Sequence, residues 1–181
     1  MHPDLAKILL DEQTIQGKVR ELAARLSEDY KGKSPVLICI LKGAFMFTAD
    51  LMRHMTIPAR VDFMAISSYG NRTRSSGVVQ ILKDLDSSIE GEHVVVVEDI
   101  IDSGLTLTYL RENLLSRRPA SLRTCVLLDK SSRREVPYTP DYVGFQVPDE
   151  FVVGYGLDYA GLYRHLPYIG VLKPEVYQKH A

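Results

Sequence analysis

The sequence contains little cysteine: only Cys39 and Cys125 among its 181 residues carry a thiol. Both lie in apolar runs, VLICIL and TCVLL, where cysteine usually behaves as a small buried hydrophobe. Neither the cysteines nor the five histidines have the spacing of a metal-binding motif. The cysteine content therefore argues against a disulfide framework and against a thiolate metal site.

An excess of charge of either sign is also missing. The 22 lysines and arginines nearly balance 23 aspartates and glutamates, so the formal net charge is -1 at pH 7. Such a chain has no general attraction for nucleic acid or for an anionic membrane, and any affinity for phosphate must come from a local site. We therefore expect a small-molecule partner and no nucleic acid.

The sequence has neither a signal-peptide pattern at MHPDLAKILLDEQ nor an apolar run that approaches the length of a membrane span. These absences predict a cytoplasmic protein with no membrane partner. A chain of 181 residues is long enough for one well-buried core and short for two. We expect a single domain over residues 1–181.

Strand and helix patterns alternate through the first third of the chain. Residues 14–31 place apolar side chains at helical spacing after a possible cap at Thr14, and Gly32 ends the pattern. The apolar residues 36–41 are typical of a buried strand. A helical pattern then runs through Phe45, Met46, Ala49 and Met52.

The alternation continues beyond it. Val61, Phe63 and Ala65 alternate in a strand that leads into a long polar segment, and residues 78–82 again resemble a strand. Strand-like stretches then follow, LRTCVLL and, beyond it, YVGFQV, FVVGY and YIGVLK. The last three predict a small β subdomain. The whole pattern predicts an α/β fold with a mainly parallel, twisted sheet flanked by helices.

The most informative stretch is VVVVEDIIDSGLTLTY at residues 94–109. Its valines are typical of a strand buried on both faces, and Gly104 and Thr106 open a helical pattern. Ligands of open α/β sheets bind beyond the carboxyl ends of strands, and the N–H groups of a helix N-terminus bind phosphate. Since Ser103 and Thr106 add hydroxyl donors, this turn predicts a phosphate site.

Three carboxylates accompany the turn, Glu98, Asp99 and Asp102, and they would repel a phosphate without other partners. Ribose hydroxyls, a Mg²⁺ ion or a proton to be abstracted would each provide one. The combination indicates a 5-phosphoribosyl group bound with Mg²⁺. No P-loop or dinucleotide fingerprint is present. An acidic loop that merely caps its helix is the structural alternative.

Lysines at two further strand ends are candidates for ligand binding. Lys42 precedes Gly43, which allows close backbone approach, and its charge suits phosphate, although a surface lysine is the alternative. Lys130 is a pure hydrogen-bond donor, so it could bind a purine 6-oxo group but not the 6-amino group of adenine. Its alternative is a surface pair with Asp129 or Glu135.

The polar segment that begins at Ser68 and Tyr69 is longer than an ordinary hairpin, so it is either an active-site lid or an unstructured connection. Phe151 in FVVGY could simply be part of the core, which is the commoner position of a phenylalanine. Asp158 and Arg164 suit a metal and a diphosphate, or else form a solvated surface pair.

Four separated motifs resemble those of the hypoxanthine (guanine) phosphoribosyltransferases, within the purine/pyrimidine phosphoribosyltransferase family. The motifs are LKG at 41–43, SSYG at 67–70, EDIIDSGLT at 98–106 and FVVGYGLD at 151–158. The likeness covers residues 14–173, and Leu105 stands where some members, including mammalian ones, have lysine, as in the bacterial type. It implies the type I phosphoribosyltransferase fold with a small hood.

The implied reaction belongs to purine salvage. It is the Mg²⁺-dependent transfer of the 5-phosphoribosyl group from 5-phosphoribosyl 1-diphosphate to hypoxanthine or guanine, giving IMP or GMP and pyrophosphate. The resemblance makes Asp102 the base that takes the proton from purine position 7. Glu98 and Asp99 would hold the ribose hydroxyls or the metal, which Asp158 would also reach.

The same resemblance divides the remaining binding residues into three groups. They are the phosphate residues Ser103, Gly104, Leu105 and Thr106, the diphosphate residues Lys42, Gly43 and Arg164, and the purine and lid residues Lys130, Phe151, Val152, Ser68 and Tyr69. A homodimer or homotetramer is also implied.

Two other functions stay open at this point. A non-catalytic regulator on the same fold, like the pyrimidine operon attenuator or the purine repressor, would need a basic face or an added DNA-binding domain, and the near-neutral chain argues against both. An enzyme of this fold that uses adenine, orotate or uracil is disfavoured by Lys130 and by the match at Phe151 and Val152.

Overall fold

A computed structural model describes residues 1–68 and 79–178. Its elements follow in chain order: β1 (Leu5–Leu10), α1 (Glu12–Asp29), β2 (Val36–Leu41), α2 (Phe45–His54), β3 (Arg60–Ser68), β4 (Val79–Lys83), β5 (His93–Ile101), α3 (Leu105–Leu115), β6 (Ser121–Asp129), a 3₁₀ turn (Ser131–Arg133), β7 (Tyr142–Gln146), β8 (Val152–Val153), β9 (Ile169–Leu172) and α4 (Pro174–Gln178).

The larger sheet has the strand order β4-β3-β2-β5-β6-β7. All its neighbouring strands are parallel except β4, which pairs antiparallel with β3 at one edge. The four valines 94–97 of β5 are all buried, because both faces of this inner strand are covered. The predicted α/β fold with a mainly parallel sheet is confirmed, and its inner strand β5 carries the 98–106 motif.

A second sheet has three antiparallel strands in the order β1-β9-β8. The expectation that YVGFQV belongs to the small subdomain is wrong. Residues 142–146 form β7, which pairs in parallel with β6 at the edge of the larger sheet. The third strand of the small sheet is β1, which apolar periodicity did not indicate. Which sheet a short strand joins depends on the free edge it meets, and local sequence does not encode that choice.

The first helix buries the face that its periodicity predicted, including Val19, Leu22 and Leu26. The prediction of Thr14 as its cap is wrong. The N-cap is Asp11, whose carboxylate accepts a hydrogen bond of 2.8 Å from the backbone N–H of Thr14.

The predicted buried faces of two other elements differ from those observed. Helix α2 fully buries Phe47, Thr48 and Leu51. Of the expected stripe, Met46 and Met52 are partly buried against the core, whereas Phe45 and Ala49 are exposed. Strand β3 buries Asp62 and Met64, while Val61 is exposed. Asp62 tolerates burial because its carboxylate accepts backbone hydrogen bonds from Phe63, Asp86 and Ser87.

Both cysteines are buried and unpaired, as expected for small hydrophobes. Burial raises the pKa of Cys39, and it raises that of Cys125 to about 12. No helix in residues 1–68 or 79–178 combines the length and apolarity needed to cross a membrane.

Candidate active site

The turn between β5 and α3 forms a small cradle. Gly104 is the N-cap of α3 with φ of 84°, and the first helical hydrogen bond runs from the Thr108 N–H to the Gly104 carbonyl at 3.0 Å. A Cβ at Gly104 would also meet the Arg134 side chain at 3.1 Å, so glycine is required there. Ser103, Gly104 and Thr106 line a cavity of about 180 Å³ at this helix start. Backbone N–H groups in the first turn of a helix suit an anion.

Glu98 and Asp99 are adjacent acids in the last half of the inner strand β5, which ends at Ile101. Glu98 is 8% exposed and Asp99 is partly buried. Burial, followed by repulsion from Asp99, raises the pKa of Glu98 well above its ordinary value. Burial likewise raises the pKa of Asp99, opposed by hydrogen bonds from Glu98 and from the Ile100 N–H. This pair would be stabilised by a cation or by hydroxyl donors.

Asp102 differs from these two acids because it is exposed. Its carboxylate accepts a 2.6 Å hydrogen bond from the Ser103 N–H, which keeps it at the rim of the turn. Asp102 lines both the cradle formed by Ser103, Gly104 and Thr106, which we call the phosphate cradle after its predicted ligand, and a larger cavity beside it. A carboxylate at this boundary can act on a group bound in either cavity.

A second cavity, of about 240 Å³, lies between the ends of β2, β3 and β5 and the segment after β8. Gly43, Glu98, Asp99, Asp158 and Arg164 line it. A side chain at Gly43 would overlap the carboxylate of Asp99. The positive group of this cavity is the Arg164 guanidinium, which lies 3.3 Å from the Asp158 carboxylate and donates to the Gly156 carbonyl at 2.5 Å.

The largest of the three cavities, of about 730 Å³, lies between the end of β6 and the small sheet. Asp102, Lys130 and Phe151 line it. The Lys130 ammonium donates to the Glu150 carbonyl at 2.9 Å. Phe151 is 37% exposed, so its ring is available to a ligand in this cavity.

The three cavities share residues. Glu98 and Thr106 line both the phosphate cradle and the 240 Å³ cavity, while Asp102 lines the cradle and the 730 Å³ cavity. The site is thus a single branched cleft around the β5–α3 turn. A molecule with three arms of different chemistry would fit it, with its central part beside the acids.

Several predicted site residues stand apart from the cavity walls. Lys42 is exposed beside Gly43, and the peptide bond that joins it to Leu41 is cis. The Leu105 N–H bonds the Ser103 hydroxyl at 3.2 Å, and Val152 is buried in β8. The side chain of Ser68 and the whole of Tyr69 lie outside the described part of the chain.

Arg134 is a site residue that sequence reasoning missed. Its guanidinium donates to the Asp102 carbonyl at 2.9 Å, to the buried Asp129 carboxylate at 2.8 Å and to the Tyr138 carbonyl at 3.2 Å. It therefore braces the turn that carries Asp102 against the segment after β6. The only signal in the sequence was an arginine in a polar loop, which is usually solvated.

The acids of the site suit a hard cation, since carboxylate oxygens are the ligands that Mg²⁺ prefers. Glu98, Asp99 and Asp158 line one cavity. They are not arranged as a ready ligand cluster: in the described ranges, no group of three His, Cys, Asp or Glu side chains is placed to hold a metal by itself. A cation held here would take part of its coordination from a ligand or water.

Comparison with known proteins decides the family. A model of the phosphoribosyl transferase domain matches residues 6–160. The chain belongs to the phosphoribosyltransferase family. It is 54% identical over 178 residues to the hypoxanthine-guanine phosphoribosyltransferase of Bacillus subtilis (strain 168), covering 98% of this chain and 99% of that protein.

The fold of this phosphoribosyltransferase is similar to those of solved structures along nearly the whole chain. The crystal structure of a hypoxanthine phosphoribosyltransferase from Staphylococcus aureus matches with a TM-score of 0.95 and 52% identity, over 98% of this chain and 96% of that one. A mutant of the Trypanosoma cruzi hypoxanthine phosphoribosyltransferase, complexed with its product IMP, matches with a TM-score of 0.94 and 48% identity, over 99% and 96%. The family resemblance and the fold predicted from the motifs are confirmed.

Proposed function

We propose that this chain is a purine-salvage enzyme that transfers the 5-phosphoribosyl group of 5-phosphoribosyl 1-diphosphate to hypoxanthine or guanine. The observation that carries the proposal is the branched cleft, in which Glu98 and Thr106 join the cradle to the 240 Å³ cavity and Asp102 joins it to the 730 Å³ cavity. The substrate has a 5-phosphate, a ribose and a diphosphate, and the incoming base completes the set. Relatives about half identical over their full length support the same reaction.

The phosphate cradle would bind the 5-phosphate through the N–H groups at the start of α3 and the hydroxyls of Ser103 and Thr106. The 240 Å³ cavity would take the diphosphate, with Arg164, the Gly43 backbone and the exposed Lys42 as its partners. This arrangement places the ribose beside Glu98 and Asp99, which would accept hydrogen bonds from its hydroxyls.

The purine would occupy the 730 Å³ cavity between Lys130 and the Phe151 ring, next to the Val152 backbone. Lys130 would donate to the 6-oxo group, which adenine lacks. As the base forms its bond to the ribose and the bond to pyrophosphate breaks, Asp102 would take the proton from purine position 7. Placement and electrostatics supply most of the catalysis.

The donor set of Glu98, Asp99 and Asp158 fits Mg²⁺, as does the need of the diphosphate for a counter-charge. When bound, Mg²⁺ would neutralise the charge that develops on the leaving pyrophosphate. Glu98, Asp99 and Asp158, which line the same cavity, would hold it. Ser68 and Tyr69 would close over the reaction as a lid.

We extend the proposal to the whole molecule: residues 1–181 act as one phosphoribosyltransferase domain, in the cytoplasm, as a homodimer or homotetramer. The small sheet supports the single domain, since it joins β1 from the beginning of the chain with β9 from its end.

The experiment is a panel of bases. Pyrophosphate release from 5-phosphoribosyl 1-diphosphate is measured with hypoxanthine, guanine, xanthine and adenine in parallel, with Mg²⁺ and with EDTA. Release with hypoxanthine or guanine, none with adenine and none with EDTA is the expected result. Silence with every base would contradict the proposal and favour a regulator that senses the nucleotide.

A further inference from the structure

Three aromatic rings form a cluster, Phe151, Tyr159 and Tyr177, and two of them, Phe151 and Tyr177, line the 730 Å³ cavity. Tyr177 stacks on Phe151 with ring centroids 4.8 Å apart and planes 18° from parallel. Tyr159 meets Phe151 in an edge contact at 5.6 Å and Tyr177 at 6.5 Å. One face of Phe151 is therefore covered by a residue from the C-terminal helix, and an edge by Tyr159.

The two residues that precede the helix carrying Tyr177 are bonded to the segments before β8 and β1. The Leu172 N–H bonds the Phe151 carbonyl at 2.8 Å, and the Lys173 N–H bonds the Asp4 carbonyl at 2.9 Å. Val176 and Tyr177 then pack against a buried cluster that contains Leu5, Val153, Tyr163, Leu166 and Leu172. Because helix α4 has only five residues, these tertiary contacts, and not its own hydrogen bonds, hold it in place.

We propose that Tyr177 is a positioning residue for purine binding: by stacking on one face of Phe151, it holds that ring so that the other face receives the base. The inference rests on the proposed function, since it takes Phe151 as the ring against which the purine lies. It adds to that function a residue of the C-terminal helix, which none of the recognised motifs contains.

The physical reason is preorganisation. Phe151 is 37% exposed in a wide cavity, so without a neighbour its ring would be free to rotate. An offset aromatic stack contributes about 0.5–1.5 kcal/mol beyond burial in typical proteins. Ordering the ring before the base arrives removes that cost from binding. The effect belongs to purine affinity, because Tyr177 lines neither the phosphate cradle nor the 240 Å³ cavity.

The test replaces Tyr177 by leucine, which keeps an apolar side chain but removes the ring, and by phenylalanine, which keeps the ring. Steady-state kinetics of IMP formation are measured for both substrates. For Tyr177→Leu we expect KM for hypoxanthine to rise about 3- to 10-fold, the range that a lost aromatic stack predicts. KM for 5-phosphoribosyl 1-diphosphate should stay within about 2-fold, and Tyr177→Phe should behave like the wild type.

Tyr168→Leu is the matched control, since Tyr168 packs against the same buried cluster but makes no ring contact with Phe151 in the described structure. A double variant, Phe151→Leu with Tyr177→Leu, tests whether Tyr177 acts through Phe151. In the Phe151→Leu background, the Tyr177→Leu change should have no further effect on KM for hypoxanthine. If Tyr177→Leu does not fold, calorimetric binding of IMP is compared between Tyr177→Phe, which keeps the ring, and Tyr177→Met, which removes it but stays apolar.

Three results overturn the inference. The first is a KM for hypoxanthine in Tyr177→Leu that is unchanged or lowered; a lowered KM would make Tyr177 an obstacle to the base. The second is an equal rise of KM for hypoxanthine and for 5-phosphoribosyl 1-diphosphate in Tyr177→Leu. The third is an equal rise of KM for hypoxanthine in Tyr168→Leu and in Tyr177→Leu. IMP binding to Tyr177→Met as tight as to Tyr177→Phe would also contradict it. The wild type is assayed first, so that absence of turnover with every oxopurine marks failure of the proposed function instead.

Discussion

At the scale of single residues, the three acids of the turn have separate environments within five positions of the chain. Glu98 is buried, Asp99 is partly buried, and Asp102 is exposed at the wall shared by two cavities. Burial suits the first two to holding hydroxyls or a cation. Exposure beside the 730 Å³ cavity, the proposed purine site, suits Asp102 to exchanging a proton with a ligand.

We therefore expect Asp102→Asn to lower kcat by about 100-fold or more, the usual contribution of a general base. The Ser103 N–H can still bond an amide oxygen, so affinity for 5-phosphoribosyl 1-diphosphate should stay within about 3-fold. The measurements are IMP formation and calorimetric substrate binding.

Asp86→Asn is the control for this variant, because Asp86 is an exposed acid that forms a surface ion pair with Lys83 at 3.2 Å. It should leave kcat unchanged. A turnover of Asp102→Asn equal to that of the wild type would contradict the assignment of Asp102 as the base.

At the scale of elements, the segment after β6 braces the turn after β5. Arg134 bonds the Asp102 carbonyl and the Asp129 carboxylate, and the N–H of Glu135 bonds the Ser103 carbonyl at 2.9 Å. Asp129 is 4% exposed and also accepts from Gln146 at 3.1 Å. Two loops with different proposed tasks are thus joined by hydrogen bonds from Arg134 and Glu135 to backbone carbonyls, and the ion pair with Asp129 fixes the Arg134 side chain.

Arg134→Ala should lower the free energy of unfolding by about 3 kcal/mol, because it leaves the Asp129 carboxylate buried without its cation. The double variant Arg134→Ala, Asp129→Asn should recover part of that loss, since the buried charge is gone. Urea unfolding followed by circular dichroism measures both. A double variant less stable than Arg134→Ala would show that charge burial is not the cause.

A second link joins the segment after β4 to the end of α3. Arg117 donates to both carboxylate oxygens of Asp84, at 2.8 and 3.1 Å. This hydrogen bonding holds the pKa of Asp84 below its ordinary value of 3.8. The resulting stabilisation is fully present above that ordinary value and is lost as the pH falls through the lowered pKa.

Asp84→Asn should therefore be less stable than the wild type by up to about 1 kcal/mol at pH 7, a small value because the pair is largely solvent-exposed. The difference should shrink when urea unfolding is repeated near pH 3. At high salt it should also be smaller. A difference that grows as the pH falls would contradict this account.

At the scale of the whole molecule, the cleft is built by segments from almost every part of the chain. Gly43 follows β2, and Arg164 lies between β8 and β9. Glu98 lies within β5, and Asp102 directly follows it. The described residues bring three acids to one cavity without forming a closed metal site. Metal and diphosphate should therefore bind as one unit.

We expect Mg²⁺ alone to raise the melting temperature by less than about 1 °C, and 5-phosphoribosyl 1-diphosphate with Mg²⁺ to raise it by several times the sum of the separate effects. Thermal unfolding with each ligand, with both and with EDTA measures this coupling. Additive shifts would show that metal and substrate bind independently.

The sequence by itself determined the α/β class and the family, because both depend on local patterns. The buried valines of β5, the turn at Gly104 and the order of the motifs are readable along the chain. Residue types also indicated the chemistry of the cleft: an anion cradle, acids for a cation or hydroxyls, and a lysine for an oxo group.

Only the tertiary structure decided which residues meet. Pairing along free strand edges placed β7 in the larger sheet and β1 beside β9, and packing selected the buried faces of α2 and β3. Arg134 and Tyr177 reach the cleft through contacts with Asp102 and Phe151, residues distant in sequence. Such contacts depend on how elements pack, and local periodicity carries no information about partners from other elements.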